Sequence, residues 1–137
     1  MLIGYVRVST DDQNLNLQKD ALIKYGVDER NIFSDKTSGS KDKRVGLDKA
    51  IEFLKDGDTL VVWKLDRLGR SLAHLIDVIT NLKNRNISFV SITEGMDTTT
   101  ASGELFFHIF GALAQFERSL IQERVKAGLE SAKLRGI

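Results

Sequence analysis

The residues in this sequence best suited to chemistry are arginines that stand close to hydroxyl groups. Arg7 and Ser9 lie two residues apart at the end of an apolar segment, so in a strand their side chains share one face. Arg67 and Arg70 lie three residues apart near the start of a predicted helix, where two side chains can converge on one oxyanion. Guanidinium groups stay charged and match the geometry of phosphate oxygens. The pattern therefore favours phosphoryl transfer, with arginines stabilising the charge that develops.

A third group of hydroxyl and basic side chains occupies residues 35–44, ten residues without a large apolar side chain. Because such a segment cannot bury itself in a core, it is predicted to be a mobile loop. Mobile basic loops often close on phosphates. Ser38, Lys41 and Lys43 are therefore candidate DNA contacts.

Each of these residues also has an ordinary structural explanation. Ser9 could serve only as a helix cap, and the arginines could be solvated or paired with Asp35, Asp66 and Glu94. Asp66 could cap a helix or position an arginine as easily as transfer a proton. Capping alone does not readily explain three groups of arginine and hydroxyl residues at predicted strand ends. The catalytic interpretation is favoured for that reason.

The rest of the sequence gives little support to other catalytic chemistries. The histidines, His74 and His108, lie in apolar helical patterns, where a packed or partly exposed histidine is more common than a member of a catalytic triad. Histidines and carboxylates do not cluster at metal-ligand spacing, so neither a metal nor another cofactor is expected. The absence of cysteine excludes disulfides, thiolate zinc sites and cysteine nucleophiles. Trp63 and the phenylalanines are expected in the core rather than as platforms for stacking bases.

Short apolar segments predict the strands that position these residues, at 2–8, 32–33, 59–63 and 87–92. Apolar residues at helical spacing predict the helices between them, at 15–25, 47–54 and 72–82. Gly26 is placed to end the first helix. Strands separated by single helices predict an α/β fold, a mainly parallel sheet flanked by helices on both faces. Binding loops are then expected at the carboxyl ends of the strands, where Ser9 and residues 66–70 lie.

The last third of the sequence predicts one long helix over residues 102–135, about 51 Å in length. Its first half is apolar around so much of its circumference that it is expected to pack both on the sheet domain and on a second subunit. Its second half is basic, as expected of a helix end that lies along DNA phosphates. The candidate contacts are Arg118, Arg124, Lys126, Lys133 and Arg135. We divide the chain into a catalytic α/β domain at 1–101 and a dimerisation and DNA-contacting helix at 102–137.

Length and composition fit one compact domain with this protruding helix. The 137 residues are 42% hydrophobic, and 20 lysines and arginines nearly balance 19 carboxylates. Any affinity for nucleic acid must therefore come from local clusters of charge. The N-terminal segment reaches Arg7 too early for a secretory signal, and no apolar run approaches the ~20 residues that span a bilayer. A cytoplasmic protein without a membrane partner is expected.

Two motifs in this order closely resemble the serine recombinases, the family of the resolvases and DNA invertases. They are Tyr5-Val6-Arg7-Val8-Ser9-Thr10 and Lys64-Leu65-Asp66-Arg67-Leu68-Gly69-Arg70-Ser71. The segments Asp35-Lys36-Thr37-Ser38-Gly39-Ser40 and Gly111-Ala112-Leu113-Ala114-Gln115-Phe116-Glu117-Arg118 are also similar to that family. The resemblance extends through essentially the whole sequence, and the first two motifs are highly specific.

The resemblance implies that Ser9 attacks the scissile phosphate, forming a 5′-phosphoserine bond and releasing a 3′-hydroxyl. It also implies a set of residues around that phosphate: Arg7, Arg67, Arg70 and Arg44 as contacts, and Gln18 and Asp66 as supporting residues. Because the covalent bond conserves the phosphodiester energy, rejoining would need no ATP or other cofactor.

The resemblance further implies double-stranded DNA as the partner, with homodimers that pair into a tetramer and rotate half of it before religation. Accessory DNA-bending proteins are compatible with it. Family members usually continue into a helix-turn-helix domain that reads the major groove, whereas this sequence ends at Ile137 without one; either it is part of a longer protein or partners supply the targeting. Inversion, resolution and integration all stay open. Two other classes also stay open, a noncatalytic DNA-binding or dimerisation module and a small phosphohydrolase with a phosphoserine intermediate.

Overall fold

The computed structural model describes residues 1–9, 15–37, 45–68, 71–134 and 136. Its sheet contains five strands, β1 (Leu2–Ser9), β2 (Ile32–Thr37), β3 (Thr59–Val62), β4 (Ser88–Ser91) and β5 (Met96–Asp97), in the order β2-β1-β3-β4-β5. The first four strands run parallel, and β5 is antiparallel to β4. This arrangement confirms the predicted α/β fold with a mainly parallel sheet.

The helices alternate with the strands as the apolar spacing predicts. They are α1 (Leu15–Tyr25), α2 (Val45–Phe53), α3 (Leu72–Asn84) and α4 (Ala101–Leu134), with short 3-10 turns at Glu29–Asn31 and Leu65–Arg67. Gly26 ends α1 with a φ of 124°, a left-handed conformation that glycine adopts without strain. Ser71 caps α3, because its hydroxyl accepts a hydrogen bond from the backbone N–H of His74.

The sheet is covered on both faces, and the alternation of side chains along β1 assigns the faces. Val6 packs with Leu22 of α1 on one face. Ile3 and Tyr5 point to the other face, where they join the larger core cluster with α2, α3 and the first turns of α4. Arg7 follows the same alternation as Tyr5. The charged end of β1 therefore belongs to the face that carries the larger core.

Helix α4 is tied to the sheet at its start and leaves it soon afterwards. Thr100 accepts a hydrogen bond from the N–H of Gly103 and donates one to the carbonyl oxygen of Asp97. Phe107 and Phe110 pack against the larger core cluster. Beyond Ala114, which is buried, almost every described side chain of the helix is exposed. The observed bounds agree closely with the predicted helix at 102–135.

Three expectations need correction. Strand β2 reaches Thr37 rather than ending at residue 33, so the first three residues of the predicted loop at 35–44 are strand. Their backbone pairs with β1 as far as Ser9 and Thr37, so the segment is held in the sheet although it has no large apolar side chain. The short strand β5 was not predicted. Trp63 was expected in the core, but it is only half-buried at the end of β3.

Candidate active site

The end of β1 carries the two residues that begin the candidate site, Arg7 and Ser9. Pairing between β1 and β3 ends at Tyr5 and Val62, two residues before Arg7. Beyond that point, the side of β1 that faced β3 pairs with the side-chain amide of Gln18, which is fully buried. Its Nε2 donates to the carbonyl oxygen of Arg7 at 3.0 Å, and its Oε1 accepts from the N–H of Arg7 at 3.2 Å. Gln18 therefore takes the place of a neighbouring strand and fixes the backbone just before Ser9.

Arg67 reaches the same point from the turn that follows β3. Its Nη1 donates to the carbonyl oxygen of Arg7 at 3.4 Å. The turn closes through hydrogen bonds from the N–H of Arg67 to Lys64 and from the N–H of Leu68 to Leu65. Leu68 is fully buried and anchors the turn in the core. Arg7 and Arg67, 60 residues apart in the sequence, thus meet at the end of β1, as expected for the carboxyl ends of neighbouring parallel strands.

Two cationic side chains lie close to the ring of Trp63, beside this turn. The Nζ atom of Lys64 lies 4.6 Å from the ring centroid, and the guanidinium carbon of Arg67 lies 5.8 Å from it. Both distances are within the range of cation–π attraction. The half-buried indole therefore helps to orient Arg67, a role that its expected place in the core would not have allowed.

Asp35 connects β1 to the start of α2. Its carboxylate accepts hydrogen bonds from the hydroxyl of Tyr5 at 2.8 Å and from the N–H groups of Gly46 and Leu47 at 2.7 and 3.0 Å. A carboxylate at the first turn of a helix satisfies its free donors and interacts favourably with its dipole. Residue 46 must be glycine for this close approach, because a Cβ there would lie 2.3 Å from the carbonyl oxygen of Ser34.

Tyr5 and Asp35 were not among the candidate site residues. Their hydrogen bond depends on the register of β1 against β2, which places Asp35 opposite Arg7, two residues beyond Tyr5. The available signal was that Tyr5 shares a face with Arg7, two residues away.

Glu94 was considered only as a partner for an arginine. In the structure it accepts hydrogen bonds from the backbone N–H of Leu65 and from the hydroxyl of Ser91.

The structure thus brings Arg7, Gln18 and Arg67 together at the strand end formed by Ser9. Other predicted site residues lie outside the described residues: Arg44, Arg70, Ser38, Lys41, Lys43 and Arg135. For Ser9 and Asp66 the backbone is described, within β1 and the Leu65–Arg67 turn, and the side chain is not. The roles predicted for all of these residues stay predictions.

The predicted DNA contacts on α4 lie apart from the core of the site. Arg124, Lys126 and Lys133 are exposed on the second half of the helix. Arg118 instead forms an ion pair with Asp77 of α3, at 3.3 Å between Nη2 and Oδ1. A phosphate contact by Arg118 would have to compete with that carboxylate or share the guanidinium with it.

Histidines and carboxylates are dispersed over the described residues. Within these parts of the chain, His, Asp and Glu nowhere form a group of three or more that could hold a metal ion. His108 is exposed, and its Nε2 lies 3.6 Å from Glu104 on the same helix. Among the described helices, none is both long enough and apolar enough to span a bilayer.

The geometry suits a reaction at phosphate. Two guanidinium groups lie at the end of a strand whose last residue is a serine, and the Nε atoms of both Arg7 and Arg67 are buried. Charge held in a partly buried site stabilises a developing oxyanion more strongly than it would in water. The backbone that carries these groups is fixed from two sides, by Gln18 and by the turn ending at Leu68.

Comparisons with known proteins agree with this chemistry. A sequence model of the family described as "Resolvase, N terminal domain" matches residues 2–137. The chain is 56% identical over 138 residues to the transposon Tn552 DNA-invertase BinR of Staphylococcus aureus, covering 99% of this chain and 71% of that protein. It is 54% identical over 136 residues to the serine recombinase gin of Escherichia phage Mu, covering 99% of this chain and 69% of that protein. The crystal structure of the N-terminal catalytic domain of TP901-1 integrase shares its fold with a TM-score of 0.70 and 32% identity, covering 87% of this chain and 97% of that one.

Proposed function

The chain belongs to the resolvase family of serine recombinases, and we propose that Ser9 is the nucleophile with which it cuts DNA. The chain is an enzyme that cleaves and rejoins DNA in site-specific recombination, by inversion or resolution. What supports the finer assignment is the convergence of Arg7, Gln18 and Arg67 at the strand end that Ser9 forms.

The proposed reaction exchanges one phosphate ester for another. The Ser9 oxygen forms a bond to phosphorus while the bond between phosphorus and the 3′ oxygen breaks, and the proton lost by the serine is balanced by the one gained at the 3′-hydroxyl. The DNA is left with a 5′-phosphoserine linkage. Religation reverses both bond changes, so no ATP or other cofactor is required.

The arginines stabilise the charge on the phosphate oxygens in this proposal. Arg7 and Arg67 are held at the site by the described contacts, and Arg44 and Arg70 are proposed to complete the set. Fixed guanidinium groups give the electrostatic stabilisation that metal ions supply in other phosphoryl-transfer enzymes. Gln18 and Asp66 are proposed as supporting residues, and Gln18 has the contacts for that role because it bonds to the backbone of Arg7.

The assembly is a further part of the proposal. Residues 1–101 act as the catalytic domain and 102–137 as the helix for dimerisation and DNA contact. Large apolar side chains on the first half of α4 are exposed, as a helix that packs on a second subunit would leave them. We propose a dimer on each DNA site, two dimers in the tetramer that recombines, and rotation of one half before religation.

Cleavage of a nicked duplex tests this function, because the broken end diffuses away and religation is prevented. A library of such duplexes with a randomised centre avoids the need to know the target site. We expect a protein–DNA adduct that survives denaturation and forms in the presence of EDTA, since arginines rather than a metal ion supply the positive charge. Ser9→Ala is expected to abolish the adduct while folding and DNA association persist.

Ser34→Ala is the matched control, since Ser34 is an exposed serine on the neighbouring strand β2. It is expected to form the adduct at the rate of the unsubstituted protein. An adduct that persists in Ser9→Ala removes Ser9 from the mechanism. A noncatalytic DNA-binding module would form no adduct in any variant, and a phosphohydrolase would prefer a small phosphate ester to the duplex.

A further inference from the structure

Glu94 lies in the tight turn that joins β4 to β5, at the same edge of the sheet as Ser9. The turn closes through a hydrogen bond from the N–H of Gly95 to the carbonyl oxygen of Ile92. The backbone leading into the turn pairs with the segment that follows β3, through the N–H of Thr93 and the carbonyl oxygen of Trp63 at 2.9 Å. Glu94 is thereby placed next to the start of the turn that carries Arg67.

The Glu94 carboxylate joins two elements that meet at this edge. Its Oε2 accepts a hydrogen bond from the backbone N–H of Leu65 at 3.3 Å. Its Oε1 accepts one from the hydroxyl of Ser91, the last residue of β4, whose side chain is fully buried. Although Glu94 is itself exposed, one of its oxygens is held by a residue of the core. The orientation of the carboxylate is therefore set by the sheet.

The Leu65 N–H is a point at which the Arg67 turn needs support. Lys64, the described residue at the N-cap position of the 3-10 turn, makes no side-chain capping bond. Glu94 supplies the acceptor from another part of the chain, and a charged acceptor makes a stronger bond than a neutral one. The far end of the turn is anchored by the buried side chain of Leu68. Arg67 lies between these two fixed points.

We propose that Glu94, held by Ser91, is a positioning residue for the recombination reaction. It sets the orientation of the Leu65–Arg67 turn and so places the Arg67 guanidinium at the carbonyl oxygen of Arg7. Glu94 acts through the backbone and does not touch the DNA. The importance of this placement for cleavage rests on the proposed function, because Arg67 must contact the scissile phosphate for its position to matter.

The test compares Glu94→Ala, Glu94→Gln and Ser91→Ala with Glu52→Ala, which removes an exposed carboxylate from α2. Adduct formation on the nicked library is measured at saturating DNA, together with DNA affinity and the exchange of backbone amide hydrogens in residues 65–68. We expect Glu94→Ala to slow cleavage by roughly 10- to 100-fold, the scale of a misplacement of about 1 Å. DNA affinity is expected to change by less than about 2-fold, and the amides of 65–68 to exchange at least about 10-fold faster.

Glu94→Gln is expected to recover most of the cleavage rate, because its amide oxygen can accept from Leu65 while its nitrogen donates to Ser91. Ser91→Ala is expected to fall between Glu94→Ala and the unsubstituted protein, and Glu52→Ala to match the latter. Unchanged cleavage in Glu94→Ala overturns the proposal. So does slow cleavage with unchanged exchange, or a Glu94→Gln variant as slow as Glu94→Ala. If the unsubstituted protein forms no adduct, the proposed function fails, while the exchange rates still decide whether Glu94 holds the turn.

Discussion

The carbonyl oxygen of Arg7 joins three parts of the sequence, since it accepts hydrogen bonds from Gln18 on α1 and from Arg67 after β3. The face on which the Arg7 side chain lies could be predicted, because it follows from the two-residue period of a strand. The bond between Tyr5 and Asp35 could not, because it depends on the register of β1 against β2. The apolar pattern within each strand does not reveal which residue of β2 lies opposite which residue of β1 before the fold is known.

Substitution of Arg67 tests whether its guanidinium group stabilises the transition state of cleavage. Arg67→Ala is expected to lower the rate of adduct formation by ~100-fold or more, the usual loss when a preorganised donor to transition-state charge is removed. Arg67→Lys is not expected to restore the rate fully, because an ammonium group lacks the planar fork that binds two oxygens. The measurement is single-turnover cleavage of the nicked library.

Arg30→Ala is the matched control for this change. Arg30 is exposed and pairs with Asp28 in the short turn before β2, where its guanidinium lowers the pKa of that carboxyl to about 2. Removing it takes away one arginine without touching the end of β1. If Arg67→Ala cleaves as fast as Arg30→Ala, then Arg67 is a structural residue of the turn and not a phosphate contact.

Among the elements, strand β2 shows how polar composition can conceal a strand. The sequence predicts a loop from residue 35, whereas β2 continues to Thr37. Asp35 is accommodated because Tyr5 and the first turn of α2 donate to its carboxylate. These donors come from distant parts of the sequence, so a local pattern could not reveal them. The same holds for β5, whose two residues are too few for a periodic signal.

The start of α4 depends on a glycine for its contact with β5. A Cβ on Gly103 would lie 1.7 Å from the carbonyl oxygen of Asp97, which is backbone and cannot move aside. Gly103→Ala is therefore expected to lower the free energy of unfolding by about 1–3 kcal/mol, a typical cost of overpacking. Chemical denaturation followed by circular dichroism measures the change.

Gly128→Ala is the control for this prediction, because a Cβ at Gly128 meets nothing within 4 Å. In that open position alanine is expected to favour the helix by up to about 1 kcal/mol. The two substitutions make the same chemical change on the same helix, so their effects are expected to have opposite signs. Equal stabilities for the two variants would mean that α4 does not dock on β5 as described.

For the whole molecule, the exposed apolar side chains of α4 form a continuous stripe. Phe106, Ile109, Leu113 and Phe116 are spaced by three, four and three residues, the spacing of a helix that packs along another helix. The sequence predicted that this surface would face a second subunit. Which side chains the core covers could be known only from the fold, since Phe107 and Phe110 lie in the same apolar run and pack inward.

Ile109→Glu tests the proposed dimer. A charge placed in a buried apolar interface is expected to weaken association by about 3 kcal/mol or more, which is roughly 100-fold. Sedimentation at several protein concentrations measures the dissociation constant. Ile23→Glu is the matched control on α1, because Ile23 is 43% exposed and Ile109 is 46% exposed. Equal dissociation constants for the two variants would place the subunit contact elsewhere.

The basic half of α4 leads to a prediction about the salt dependence of DNA binding. If about four phosphates are neutralised per protomer, the slope of log K against log salt concentration is expected near −3.6, and it is expected to be similar on unrelated duplexes. Replacing Arg124 and Lys126 with alanine is expected to flatten the slope by about 1.8, at ~0.9 per contact. Fluorescence anisotropy across a salt series measures it.

Alanine at Lys49 and Lys55 is the control, because these lysines are exposed at α2 and just after it. Their removal changes the net charge of the protein equally but is not expected to change the slope. Tight binding to one duplex that is insensitive to salt would show that the domain reads bases directly.

The protein atom that holds the cleaved DNA can be identified directly. The adduct from the nicked library is digested with nuclease and trypsin, and the peptide that carries the nucleotide, expected to be residues 8–19, is sequenced by mass spectrometry. This peptide contains both Ser9 and Thr10, so fragmentation between them is required. We predict a nucleotide joined through its 5′ phosphate to Ser9. A nucleotide on Thr10, or a 3′-phosphate linkage to Tyr5 or Tyr25, would show that Ser9 is not the nucleophile.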